Sequence, residues 1–170
     1  MSGALVGTAD TAAGPEHAFA YNRSTGVALD LGTLGGSTSE ALGVNENGDI
    51  CGTSELPNNT RHAFLRRADS GIIEDLGTLG GPTSWAFAVS TSGLVIGRSD
   101  TSDGTSHPFV AVRKSDAWQL HDLFLDQRGL YTSVSAAASW GADLIVGYGF
   151  PEGGGPPHCL SWRKLEEGVH

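Results

Sequence analysis

Four histidines stand at nearly fixed spacing, and imidazole is the side chain best suited to bind a metal or move a proton near neutral pH. They are His17, His62, His107 and His158, at steps of 45, 45 and 51 residues. A ring of imidazoles around one ion would need them close together. If each occupies the same place in successive packed sheets, neighbours lie about 10 Å apart. Zinc–nitrogen bonds are only about 2 Å long, so equivalent histidines cannot share an ion, and no metal or other cofactor is expected. Aspartates offer the alternative partner. Asp30, Asp75 and Asp122 follow the first three histidines by 13, 13 and 15 residues. A strand folding back on its neighbour brings His17 near Asp30 and His62 near Asp75, so these histidines and aspartates, with His158, are read as structural parts of a repeat.

A second set of chemically capable residues sits just before each histidine. Glu16, Glu55, Asn58, Arg61, Asp100, Asp103 and Glu152 fall in polar stretches whose sequence changes from copy to copy. Two of these carboxylates facing each other across a cleft would suit glycosidic-bond cleavage. The plainer expectation is solvated acids on a loop face that binds a partner. Thr33, Thr78, Ser39 and Ser84 are expected as turn residues, and Trp85, Trp118, Trp140 and Trp162 as packing residues, because they are not at equivalent positions. The sequence has no calcium loop of the Asp-x-Asp-x-Asp-Gly kind, no Gly-x-Ser-x-Gly elbow and no phosphate-cradling glycine loop ending in lysine.

The elements that would position these residues follow from the repeat. His17-Ala18-Phe19 returns as His62-Ala63-Phe64, then as His107-Pro108-Phe109 and His158-Cys159-Leu160. Asp30-Leu31-Gly32-Thr33-Leu34-Gly35-Gly36 returns as Asp75-Leu76-Gly77-Thr78-Leu79-Gly80-Gly81, then decays to Asp122-Leu123-Phe124. Gly7, Gly52, Gly97 and Gly147 each close a short apolar run in the same register. Within one copy the pattern predicts strands over 41–45, 49–54, 62–67 and 72–76, separated by Gly- and Asn-bearing turns that supply positive φ. Four short antiparallel strands in about 45 residues is the arithmetic of a propeller blade. A β-solenoid is the competing all-β architecture. The expectation is one repeat domain over 1–170 with fourteen strands, or about 3.5 blades. Such a stack could close as an imperfect four-bladed ring, belong to a longer chain, or pair with a second copy to complete a propeller.

The His-Ala-Phe triplet and the Asp-Leu-Gly-Thr-Leu-Gly-Gly run resemble the HAF repeat family over nearly the whole chain. The resemblance implies an extracellular or cell-surface bacterial repeat protein and implies no activity. The last copy departs most, with His158-Cys159-Leu160 in place of the triplet and a longer loop before it.

Composition narrows the functions further. The chain has 170 residues, 25 of them glycine, with 39% hydrophobic and 17% charged residues and a formal charge of −9. An acidic surface with scattered bases argues against nucleic acid as a partner. No apolar run is long enough to cross a membrane, and the opening MSGALVGTAD has neither the basic nor the apolar region of a signal peptide. Cys51 and Cys159 lie in different phases of the repeat and are expected as two buried free thiols. The leading expectation is a non-catalytic binding or scaffold module that presents its variable loops to a glycan or protein. A polysaccharide hydrolase or lyase and a structural spacer within a larger surface protein are the alternatives.

Overall fold

The structure, a computed structural model, describes residues 4–124, 131–140, 144–165 and 168–169, with side chains over 4–124 and 145–161. All its regular elements are strands: β1 (Ala4–Asp10), β2 (Glu16–Asn22), β3 (Val27–Gly32), β4 (Ser39–Val44), β5 (Ile50–Glu55), β6 (Arg61–Arg66), β7 (Ile73–Gly77), β8 (Gly80–Val89), β9 (Val95–Thr101), β10 (Ser106–Lys114), β11 (Ala117–Asp122), β12 (Tyr131–Trp140), β13 (Leu144–Pro151), β14 (His158–Leu165) and β15 (Gly168–Val169). The sequence reading of fourteen strands falls one short, because Gly168–Val169 pairs with Lys164–Leu165.

Consecutive strands pair antiparallel as β1-β2-β3, β4-β5-β6-β7, β8-β9-β10-β11 and β12-β13-β14-β15. These are four blades, and a single parallel bridge, Arg61 to Thr83, joins the second and third into one hydrogen-bonded sheet. Alternation along each strand sends one set of side chains forward and the other back. Forward from the first blade come Val6, Ala18, Ala20 and Leu31, which meet Ala41, Ile50 and Phe64 of the second. Forward from the second come Cys51, Ala63, Leu65 and Leu76, which meet Ala86, Val95, Phe109 and Trp118 of the third. The third blade repeats the pattern with Ile96, Val110 and Leu123 against Ile145 and Leu160. The core is therefore a series of slabs between blades.

The second-strand glycines Gly52 and Gly97 are required by close approach. Leu42 and Phe87 are extra residues in β4 and β8, forming bulges opposite β5 and β9. The kink drives a carbonyl of the inner strand over the glycine. A Cβ on Gly52 would lie 1.9 Å from the Glu40 carbonyl oxygen and 2.9 Å from the Phe64 ring. On Gly97 it would lie 1.9 Å from the Trp85 carbonyl and 2.9 Å from Phe109.

Blades are also tied by hydroxyls. Ser39 Oγ accepts from Ala18 N at 2.9 Å and donates to Gly32 O at 2.5 Å, both in the preceding blade. Ser84 repeats this with Ala63 N at 2.8 Å and Gly77 O at 2.6 Å. Thr53 Oγ1 donates to Ser84 O at 3.0 Å. On the tight-turn end, Asn45 Nδ2 donates to Asp49 and to Ser90 O, and Asn47 Nδ2 donates to Thr91 O. Replacing Gly97 with Ala should destabilise the chain by about 2–4 kcal/mol, because backbone and a buried ring must both move. Ser84→Ala should cost about 1–3 kcal/mol by stranding a buried N–H and a carbonyl. Urea denaturation of each variant, with m compared to the parent, measures both effects.

Candidate functional site

The crossings between blades and the links between second and third strands share one end of the stack. Gly36 N donates to Glu55 O at 3.0 Å, and Leu34 N and Leu79 N donate to Ser54 Oγ and Ser99 Oγ, both at 2.8 Å. The links that vary in sequence are closely alike in backbone. Thr11, Leu56 and Thr101 N–H groups bond to the carbonyls of Pro15, Thr60 and Thr105. Gly14, Asn59 and Gly104 then take φ of 107°, 64° and 84° at the same step of the turn. Asparagine tolerates this left-handed conformation better than most residues, so Asn59 stands where its siblings have glycine. Variable loops were expected here, and for the first three links the structure corrects this: they are tight hairpins, alike in backbone and changing in side chains.

Between the first and second blades this end holds a groove of about 560 Å³ lined by Thr8, Glu16, Thr38, Ser39, Glu40, Glu55, Asn59 and Arg61. Of the loop residues singled out from sequence, Glu16, Glu55 and Arg61 meet here. Asn58 is instead occupied by its own turn, accepting from Thr60 N at 3.1 Å and Thr60 Oγ1 at 2.7 Å, while Asn59 lines the groove. Asp100 occupies the place of Glu55 one blade on, where it accepts from the Thr83 hydroxyl. Asp103 caps its hairpin, accepting from Thr101 Oγ1 at 2.5 Å and Thr105 Oγ1 at 2.7 Å. Glu152 is exposed on the fourth blade, so the three acids that follow Glu55 do not converge on the groove.

Inside the groove the polar groups are partly engaged. Glu55 Oε2 accepts from Ser37 N at 3.0 Å and from Thr38 Oγ1 at 3.4 Å. Arg61 Nη2 donates to the same Thr38 oxygen at 3.2 Å. Arg61 Nε is buried without a hydrogen-bond partner among the described residues. Glu40, which sequence reasoning did not single out, enters because β4 alternates and its odd face points inward with Ser39 and Ala41 buried.

His17 and His62 follow the groove residues Glu16 and Arg61 on β2 and β6, and the first three repeat histidines are paired within their own blades. His17 Nδ1 lies 3.0 Å from both carboxylate oxygens of Asp30, and His62 Nδ1 3.0 Å from both of Asp75. His107 Nδ1 lies 2.7 Å from Asp122 Oδ2, in a far more buried pair, with Phe124 packed at 4.6 Å. The same aspartates accept from Gly32 N, Gly77 N and Phe124 N at 2.7–2.8 Å, which fixes the turn into the crossing. His158 opens β14 opposite Gly149, in the register of His107 opposite Ser99. No aspartate follows it in the sequence. Among the described residues no three His, Cys, Asp or Glu side chains converge to hold a metal.

Another cluster, missed from the sequence, joins the outer edges of two blades. Arg113 Nη1 donates to both oxygens of Glu74 at 2.7–2.8 Å, and Trp118 Nε1 donates to Glu74 Oε2 at 2.8 Å. Arg67 and Arg113 stand 6.0 and 5.9 Å from the Trp118 ring, within cation–π range. Nothing in the spacing of Glu74 and Arg113 announces a contact 39 residues apart. Trp85 lies under Arg98 at 4.2 Å, while the side chains of Trp140 and Trp162 fall outside those described.

The two thiols differ. Cys51 is buried, and burial pushes its thiol up to about 12. Cys159 is exposed, which corrects the expectation of two buried thiols: its strand faces outward on the last blade, where no further sheet covers it among the described residues. A thiol reagent should label one cysteine per native chain and two after denaturation, read by mass spectrometry.

Two carboxyls are held below their ordinary value of 3.8: Asp30 chiefly by the Gly32 N–H, with burial opposing and His17 assisting, and Asp103 chiefly by the Thr101 and Thr105 hydroxyls. A lowered folded-state value means the stabilisation is complete above the unfolded value and is lost as pH falls through the folded one. Stability should therefore hold from neutrality to about pH 4 and decline below it. Asp30→Asn should remove part of that acid limb, by less than about 1 kcal/mol because the pair is exposed. Denaturation midpoints between pH 2 and pH 7 measure it.

No family model and no curated protein matches the chain significantly, so the resemblance to HAF repeats rests on the motifs quoted above. Among solved structures, TolB from Acinetobacter baumannii, a β-propeller protein, aligns over 97% of this chain and 38% of its own length. The TM-score is 0.59 and the identity 14%. At that identity the likeness concerns fold alone, and the chain is an all-β stack of propeller-like blades.

Proposed function

We propose that the chain is a non-catalytic binding module that takes a protein segment into the groove between its first two blades. The buried, unpartnered Nε of Arg61 carries this reading. A buried N–H without an acceptor costs about 1–3 kcal/mol, and a ligand carbonyl or carboxylate entering the groove would supply the acceptor. The tight hairpins around it support the same reading, since side chains change there while the backbone turn does not. A propeller-like scaffold that presents loops at one end suits protein binding as well.

The hydroxyls of Thr8, Thr38 and Ser39 beside three carboxylates favour a second reading, a glycan ligand or a polysaccharide-cleaving site. Against cleavage stands the engagement of Glu55 by the crossing loop. Membership of the HAF repeats, a place in the cell envelope or outside the cell, and pairing of two chains through their end blades belong to the same proposal. No helix among the described residues is long and apolar enough to cross a membrane. A peptide library and a glycan array probed with the purified chain test the groove. Peptide ligands weakened at least tenfold by Arg61→Ala and by Glu16→Gln support it. Glycan binding, or release of reducing sugar from polysaccharide abolished by Glu16→Gln, would replace it with the second reading.

A further inference from the structure

Of the first three blades, only the third sets a hydroxyl against its repeat histidine. His107 Nδ1 lies 2.7 Å from Asp122 Oδ2, and across the ring Nε2 lies 3.0 Å from Thr105 Oγ1. Carboxylate, imidazole and hydroxyl in that order make an alcohol nucleophilic. The carboxylate holds the ring with its proton on Nδ1, and the lone pair on Nε2 is left to take the hydroxyl proton. The repeat does not account for this arrangement. Thr105 follows Pro15 and Thr60 at steps of 45. Proline has no hydroxyl, and Thr60 Oγ1 donates to Asn58 Oδ1 at 2.7 Å instead. Among the described residues His17 and His62 are bonded through Nδ1 alone. Burial divides the three groups by task. The side chains of His107 and Asp122 are 8% and 11% exposed, and Phe124 packs on the imidazole at 4.6 Å. Thr105 is exposed on the hairpin, so a base shielded from water adjoins a hydroxyl that a reagent can reach.

Asp103 competes for the same proton. Its Oδ1 lies 2.7 Å from Thr105 Oγ1 and also accepts from Thr101 Oγ1 at 2.5 Å and Thr105 N at 3.1 Å. Those bonds hold its carboxyl below the ordinary 3.8, whereas an imidazole is by nature the stronger base. The negative charge of Asp103 also opposes an oxyanion forming on a carbonyl beside Thr105.

We infer that Thr105 is an acylation site, a hydroxyl that His107 activates toward esters with a good leaving group. Thr105 Oγ bonds to the acyl carbon while its proton passes to His107 Nε2. The ester C–O bond then breaks, and the departing oxygen takes that proton. An ester on Thr105, a free alcohol or phenol and a neutral ring remain. Asp122 is a positioning residue that acts through the imidazole. The new alkyl ester is less reactive than the donor, and Asp103 opposes the oxyanion of its hydrolysis, so the acyl group accumulates on the chain. This site shares no residue with the groove, so the two proposals fail independently.

p-Nitrophenyl acetate added to the intact 170-residue chain, with acetyl sites mapped by mass spectrometry, tests the inference. Thr105 should be acetylated at least about tenfold faster than Thr60, the control at the same turn of the second blade. His107→Gln should lower the Thr105 rate about 100-fold, a usual contribution of a general base. Thr105→Ser, a less hindered alcohol, should raise labelling at that position. Asp103→Asn removes the competing acceptor and the opposing charge, so it should raise the rate, which loss of a turn-capping bond alone would not do. Asp122→Asn should lower the rate and move the rate–pH curve to lower pH, because the imidazolium loses its anion. Circular dichroism and thermal midpoints establish that each variant is folded. Thr105→Ser and Asp103→Asn alter exposed residues, so the test stands even where His107→Gln does not fold. Equal labelling of Thr105 and Thr60, an unchanged rate in folded His107→Gln, or a lower rate in Asp103→Asn would overturn the proposal.

Discussion

The second and third blades are each held to the one before by a hydroxyl that is shared between two chains of hydrogen bonds. Ser39 and Ser84 start the inner strands of their blades, yet their side chains complete the backbone of the preceding blade, accepting from an alanine N–H and donating to a glycine carbonyl. Those are the alanine of the His-Ala-Phe triplet and the glycine of the Asp-Leu-Gly run. The bulge at Ala18 and Ala63, where third and fourth strands shift register, frees the alanine N–H for this use. The histidine beside it then grips the aspartate beside the glycine, closing the bulge from the other side. The triplet, whose alanine lies 21 residues from the serine, and the Asp-Leu-Gly run, whose glycine lies 7 from it, are thus parts of one joint. Packing follows from it, because the joint fixes how far apart successive sheets sit and lets Phe64 and Phe109 fill the slabs between them.

The same joint explains which parts of the fold were legible. Repeating features are backed by repeating constraints: the triplet, the Asp-Leu-Gly run and the second-strand glycine all recur because each has one geometric job per blade. Strand positions read from them fall within a few residues of those in the structure. Less legible were features built from residues that do not recur. Glu74, Arg113 and Trp118 meet across a blade boundary from positions with no common phase, and periodicity carries no record of such a contact. The hairpins before each histidine misled in the opposite direction. Their side chains vary, which suggested open loops, while the left-handed positions at Gly14, Asn59 and Gly104 keep an unbroken step of 45 that marks a constant turn.

For the groove, sequence supplied the end of the stack and only part of the membership. Glu16, Glu55 and Arg61 line one groove with Thr38, Ser39 and Glu40 of the crossing between the first two blades. Glu40 belongs because of strand parity. Asp100, in the place of Glu55, repeats one of its contacts, accepting from Thr83 as Glu55 accepts from Thr38, and Asp103 is taken up by its own turn. The backbone and part of the hydrogen bonding are copied, while Arg61 gives way to Ser106 one repeat on, so each boundary between blades carries its own side chains.

The third blade shows what happens when one atom of the joint is lost. Pro108 replaces the alanine of the triplet, and proline has no N–H to give to a serine of the next blade. Leu123 N donates to Pro108 O at 3.0 Å within the blade. Here the His–Asp pair is at its most buried and shortest, with His107 between Thr105, Asp122 and Phe124. At the earlier blades this pair is a solvent-exposed clasp beside an inter-blade bond, and at the third it becomes part of the core. The decay of Asp-Leu-Gly to Asp122-Leu123-Phe124 fits this change. A glycine carbonyl waiting for a serine is no longer needed, and an aromatic ring against His107 shields the pair from water, where a charge-assisted bond is stronger.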